Sequence, residues 1–150
     1  EIANDNSESQ IILSGEKVAI DEISKILKLN KKKSIILPVS APFHSSLMKS
    51  AAEKMKDKIL NTNFTDPSIS IVSNVTAKAE NDQKNIKKLL IEQIYSKVRW
   101  RESILYMINN DVKEFIEIGP GKVLSGLVKR ISGNVNVKSI NTIEDIKSLK

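Results

Sequence analysis

The chain has no cysteine, a single histidine, and aromatic side chains at only 4% of its 150 positions. Without cysteine there is no disulfide, no thiolate metal ligand and no cysteine nucleophile. With His44 as the only imidazole, any metal site would rest on carboxylates, and no calcium-loop spacing occurs. No apolar run approaches the roughly 18 residues needed to cross a bilayer. The opening Glu1-Ile2-Ala3-Asn4-Asp5-Asn6 has neither the basic nor the apolar region of a signal peptide. It also lacks an initiator methionine, which predicts a sequence that begins inside something longer or has been processed. A chain without cysteine is compatible with a cytoplasmic location, which is the expectation.

Arginine is scarce as well. Of 24 basic residues only Arg99, Arg101 and Arg130 are arginine, although the net charge is +6. Base readout and phosphate forks favour arginine, and base-stacking surfaces need aromatics, so the charge does not argue for nucleic acid. Lysine, isoleucine and asparagine are heavily used throughout, a chain-wide bias rather than a designed patch. The run Lys31-Lys32-Lys33 reads as a solvated turn after a helix. An acidic protein partner fits this charge better.

What is present reads as alternating strands and helices. Residues 10–14 form a short β-like run ending at Gly15, and apolar positions recur at mostly helical spacing from Val18 to Leu29. Residues 34–39, rich in β-branched side chains, predict a strand. A helix over 45–60 carries Leu47, Met48, Ala51, Met55, Ile59 and Leu60 on one stripe. After Pro67 the pattern predicts a strand over 69–72, then helices around 86–94 and 100–108. A strand over 113–118, a helix over 123–131, a strand near 135–137 and a short helix near 143–149 close the chain. Strands separated by helices predict parallel pairing in an α/β sheet. Strand, helix and strand before residue 40 are too few for a complete layer, and look like half of a small α+β unit.

Two features can be weighed as sites from the residues alone. Gly119-Pro120-Gly121-Lys122 is not a phosphate loop, because Ile116 stands where the first glycine is required and Val123 follows the lysine. It predicts a tight strand-to-helix turn. His44, in Ser40-Ala41-Pro42-Phe43-His44, stands between a predicted strand and a predicted helix, where α/β proteins mount reacting groups. It is the one side chain here that ordinarily changes charge near neutral pH. A catalytic imidazole and a solvent-facing histidine near a helix N-cap are both open on these grounds.

The run Val39-Ser40-Ala41-Pro42-Phe43-His44-Ser45-Ser46-Leu47-Met48 resembles the histidine motif of the malonyl-CoA:acyl carrier protein transacylases. Three further blocks resemble the same family in its order. They are Ile2-Ala3-Asn4-Asp5-Asn6-Ser7, Val98-Arg99-Trp100 with Ser103-Ile104, and Glu117-Ile118-Gly119-Pro120-Gly121-Lys122-Val123-Leu124 with Gly126-Leu127. The resemblance extends to the C-terminal half of such an enzyme. It implies an incomplete α/β-hydrolase-like acyltransferase fold: residues 1–39 as the tail of an inserted small ferredoxin-like subdomain, and 40–150 as the returning part of the large subdomain.

The resemblance also implies chemistry. His44 would be the base, held by the main-chain carbonyl of Gln93, and Phe43 would limit room for an α-substituent and so favour malonyl over methylmalonyl. The nucleophile is missing, since no serine sits in Gly-x-Ser-x-Gly. Ser14, Ser125 and Ser132 each precede a glycine without the full frame, and Ser45 and Ser46 are expected to cap the following helix. The implied partners are malonyl-CoA, acyl carrier protein and the missing N-terminal half of the same enzyme, with no nucleic acid and no membrane. Coenzyme A thioester and phosphopantetheine would be substrates, and no cofactor or metal is implied. The alternative is a non-catalytic remnant or split-gene product that needs a complementary chain. An unrelated basic binding domain is a further reading, opposed by the four ordered motifs.

Overall fold

The computed structural model describes residues 1–148. Strands β1 (Ile2–Ser7) and β2 (Gln10–Leu13) form an antiparallel hairpin, followed by helix α1 (Lys17–Leu29). An irregular stretch leads to a single 3-10 turn (Ser46–Met48) and helix α2 (Lys49–Asn61). Then come β3 (Ile71–Val72), β4 (Ala79–Glu80), α3 (Gln83–Glu92) and α4 (Trp100–Asn109). The chain continues through β5 (Glu114–Ile118), α5 (Val123–Ile131), β6 (Asn136–Ile140) and α6 (Ile143–Lys147). The helix expected over 143–149 is present to Lys147, and Leu149 lies outside the described residues.

Among the described residues the parallel pairing expected of an α/β chain forms one strand pair, beside an isolated parallel bridge between Asn4 and Val98. β5 and β6 run in register from Glu114 opposite Asn136 to Ile118 opposite Ile140, with α5 as the crossover. The strand expected over 69–72 is instead two residues long and antiparallel to β4, with Ile71 opposite Glu80. Four residues suffice to turn the chain back on itself there: Ser73 N–H donates to the Lys78 carbonyl (3.0 Å) and Ala77 N–H to the Ser73 carbonyl (2.9 Å). So short a reversal pairs locally before any crossover helix can form.

The strand expected over 34–39 is absent. All residues from 31 to 40 are exposed and no strand among the described residues pairs with them, so their N–H and C=O groups have no ladder to join. β-Branched content favours a strand only where a pleated surface exists to receive it. Conversely β1, built from Ile-Ala-Asn-Asp-Asn-Ser, was not anticipated because it lacks that content. It is fixed from outside: Asp5 N–H donates to the Val98 carbonyl (3.0 Å), Val98 N–H to that of Ala3 (2.8 Å), and Arg101 pairs with Asp5 at 3.0 Å.

Ala3, Val98, Ile104, Leu127 and Val128 are buried, and β1, α4 and α5 pack together around them. Ile104 has no exposed surface. This core is small for the chain. The accessible surface is 10869 Å², against about 7,600 Å² for a compact monomer of this mass. Helix α1 illustrates the excess, since its apolar stripe contains no buried residue and Leu29 remains 82% exposed.

Candidate active site

The site begins with a turn. Phe43 N–H donates to the Ala41 carbonyl at 2.9 Å, and the buried Ser45 hydroxyl donates to the Pro42 carbonyl at 2.7 Å. Between them His44 adopts a left-handed backbone, φ 58°. A residue with a Cβ pays roughly 1–2 kcal/mol for that conformation, and such strain persists where surrounding contacts over-determine it. Ser45 thus stands at the N-cap of the 3-10 turn, but its hydroxyl closes the preceding turn rather than capping a helix. Neither it nor Ser46 caps through its side chain as expected. The Ser46 N–H and hydroxyl instead donate to the Glu1 carboxylate.

The third contact fixes the ring. His44 Nδ1 lies 2.9 Å from the main-chain oxygen of Gln93. A carbonyl only accepts, so in the neutral ring this bond puts the proton on Nδ1 and the lone pair on Nε2, the tautomer a general base requires. The carbonyl is available because of where α3 stops. Asp82 caps the start of that helix, accepting from Asn85 N–H at 2.9 Å, and Gln93 is the C-terminal cap. The last carbonyls of a helix have no partner within it. The side-chain oxygen of Gln93 accepts from Asn74 Nδ2 at 3.3 Å.

Asn74 stands on the turn between β3 and β4, which Arg99 braces. The Asn74 carbonyl accepts from Arg99 N–H at 3.1 Å, and the guanidinium donates to the Val75 (3.2 Å) and Thr76 (3.1 Å) carbonyls. Glu102 pairs with the same guanidinium, its Oε2 accepting from Nε at 3.0 Å. The hydrogen bond from Arg99 holds the Glu102 carboxyl below its ordinary range, and the pairing raises Arg99 in turn. A carboxyl depressed in the folded state contributes stability above its unfolded value, and that contribution is lost as pH falls through the depressed value. Glu102→Gln is therefore expected to lower neutral stability by a small amount, because the pair is about one-third exposed, and to flatten the acid limb of a stability-against-pH curve by that same amount. Chemical unfolding midpoints measured from neutral pH down through the carboxylate range check this. An acid limb as steep as the parent's would show that the pair contributes nothing.

Phe43 lies on the same turn and is 48% exposed. The structure thus brings His44 and Gln93 into contact, and keeps Phe43 beside them by chain connectivity. The Asn74 contact escaped sequence reasoning, since an Asn in a Ser-Asn-Val-Thr turn looks like any turn residue. Two concavities among the described residues do not contain His44. One of about 170 Å³ has Asn74 and Gln93 in its wall. A larger, open one of about 400 Å³ is bordered by Lys25, Lys28, Lys32 and Lys33. The candidate site rests on the imidazole geometry rather than on a cavity. Among the described residues no group of three or more His, Asp and Glu could hold a metal ion, and no helix is long and apolar enough to cross a membrane.

No protein-family model matches the chain. Individual relatives do. The malonyl CoA-acyl carrier protein transacylase of Staphylococcus aureus (strain COL) is 45% identical over 148 residues, 98% of this chain and 48% of that protein. Among solved structures, the acyl-carrier-protein-S-malonyltransferase of Bartonella henselae superposes with a TM-score of 0.94 at 41% identity, over 99% of this chain and 48% of the other. A type II PKS acyl-carrier protein in complex with its malonyl-transacylase provides another match, with TM-score 0.93 and 34% identity over 99% of this chain and 48% of that one. The chain thus spans about half the length of the relatives it matches. The chain is homologous to the malonyl-CoA:acyl carrier protein transacylases, as a mixed α/β chain corresponding to about half of such an enzyme.

Proposed function

We propose that the chain is the C-terminal half of an enzyme that moves malonyl from coenzyme A to acyl carrier protein in fatty acid biosynthesis, and that it supplies the base. The observation that carries this reading is the 2.9 Å pairing of His44 Nδ1 with the Gln93 carbonyl. It leaves Nε2 free to accept a proton. A serine from outside these residues attacks the malonyl thioester carbonyl while Nε2 takes its proton. The tetrahedral adduct collapses, the C–S bond breaks, and coenzyme A leaves as a thiol with that proton. In the second half-reaction the phosphopantetheine thiol attacks the malonyl ester, His44 takes the thiol proton, and the serine oxygen recovers it on departure. Proton and acyl group are conserved through both halves, and no step needs a metal.

The proposed division places residues 1–39 in the tail of an inserted ferredoxin-like subdomain and 40–150 in an α/β-hydrolase-like large subdomain, with β1 as the seam against α4. A cytoplasmic enzyme is the corresponding location. The reading is tested by assaying malonyl transfer from coenzyme A to holo acyl carrier protein, using this chain together with its serine-bearing half. No transfer, with both halves folded together, would overturn it.

Phe43 offers a test of substrate choice. Its ring is half-exposed and belongs to the residue next to His44, and in this reading it limits space at the acyl α-carbon. Phe43→Ala should raise methylmalonyl transfer relative to malonyl, within the roughly 10–200-fold that one methyl group commands in a pocket. The ratio of kcat/KM values for the two thioesters measures it. An unchanged ratio would leave Phe43 as packing alone.

A further inference from the structure

We infer that Asn74 is a positioning residue for His44, acting through the side chain of Gln93. The inference rests on the proposed role of His44 as base. A backbone carbonyl at the frayed end of a helix is a poor fixed point by itself, because the final turn has lost the hydrogen bonds that hold the earlier ones. Gln93 has its own N–H bonded back to the Leu89 carbonyl at 2.9 Å, but its forward peptide is held only by a longer, tighter-turn bond from Ile94 N–H to the Ile91 carbonyl at 3.3 Å. Its side chain supplies the second point of attachment. Asn74 Nδ2 donates to Gln93 Oε1 at 3.3 Å, with both side chains partly buried. Two anchors on one residue, N–H and side chain, restrict rotation of the peptide whose oxygen meets His44 Nδ1.

Asn74 can do this because its own backbone is held. The Val75 N–H donates to the Ser73 hydroxyl at 3.2 Å, Ala77 closes the turn in a left-handed conformation (φ 54°), and Arg99 binds three successive carbonyls of residues 74–76. The path from a braced turn to the imidazole thus has two side chains and one peptide in it. The amide of Asn74 also has a chemical reason to be an amide. It offers a donor to an acceptor-only oxygen, so alanine removes the bond while leaving the turn backbone, whose carbonyls hold Arg99, unchanged. The Gln93 side chain matters here for its oxygen, in addition to the main-chain carbonyl that any residue would provide.

The test uses the complete protein. Asn74→Ala and, from the other side of the same bond, Gln93→Met should each lower kcat about 2–10-fold, the rate equivalent of one neutral hydrogen bond, with KM for malonyl-CoA unchanged. The double variant should be no slower than the slower single one, because both remove the same contact. The decisive readout is the imidazole itself. With ¹⁵N-histidine labelling, the His44 resonances are assigned by their loss in His44→Ala. The parent should show a proton on Nδ1, and both single variants a mixture with the Nε2-protonated tautomer while thermal unfolding remains cooperative. A purely structural role would alter unfolding without altering the tautomer. If either folded variant keeps the parent tautomer and rate, the assignment of Asn74 is wrong. If His44→Ala itself transfers malonyl normally, it is the reading of His44 as base that fails.

Discussion

Replacing His44 with alanine in the complete enzyme is expected to cut malonyl transfer by about 10²–10⁴-fold, the usual worth of a positioned general base. The serine would keep its place but lose the group that accepts its proton in the attacking step. Gln93→Ala should be far milder, within about tenfold, because alanine retains the main-chain carbonyl that meets Nδ1 and forfeits only the side-chain anchor to Asn74. Single-turnover measurements with malonyl-CoA separate acylation of the serine from product release and read the loss directly. Equal, large losses from both substitutions would sink the carbonyl assignment. Unimpaired transfer by His44→Ala would remove the functional reading altogether.

The helices were more legible than the strands, for a physical reason. α1, α3 and α5 carry their apolar residues at helical spacing and form by local hydrogen bonds, so their positions follow from the chain itself. Strands need a partner. Residues 34–39 have the composition of a strand and nothing among the described residues to pair with, whereas β1 has the composition of a loop and is made a strand by β2 on one side and Val98 on the other. The parallel register of β5 and β6 was legible because α5 between them leaves a crossover as the natural connection.

The candidate site divides the same way. His44 stood out as the chain's only histidine, in a motif flanked by proline. The resemblance pointed to Gln93 through its main-chain oxygen, which no residue type announces. The contact of His44 with Gln93 spans 49 positions, and the brace from Gln93 to Asn74 and from Val75 to Arg99 spans 19 and 24, brought together by the turn between β3 and β4. Sequence patterns register what a residue is, and these contacts depend on where its neighbours end up.

The chain by itself is expected to be aggregation-prone or loosely packed, and to show no transacylase activity. Its surface exceeds that of a compact monomer of its mass by roughly 3,000 Å², an area within the range buried by obligate interfaces. Much of what is exposed is apolar: Ile35 at 71%, Ile69 at 82%, Ile118 at 80% and Val123 at 71%. Among the described residues β5 pairs only with β6 and β3 only with β4, so each strand presents unpaired backbone groups along one side. Edges rich in isoleucine and valine promote association, and lysine opposes it only in part. The 150 residues also contain no Gly-x-Ser-x-Gly frame to supply a nucleophile. Adding the serine-bearing half in trans should cover these surfaces, improving order and solubility, and should restore activity to the extent that serine reaches His44. Purification of the chain alone and with its complement, followed by sedimentation, thermal unfolding and a malonyl-transfer assay, distinguishes the outcomes. A soluble monomer with a sharp cooperative transition would show that these residues form a self-sufficient domain, with their exposed faces requiring no partner. Association of the isolated chain that the complement fails to relieve would count equally against a shared interface.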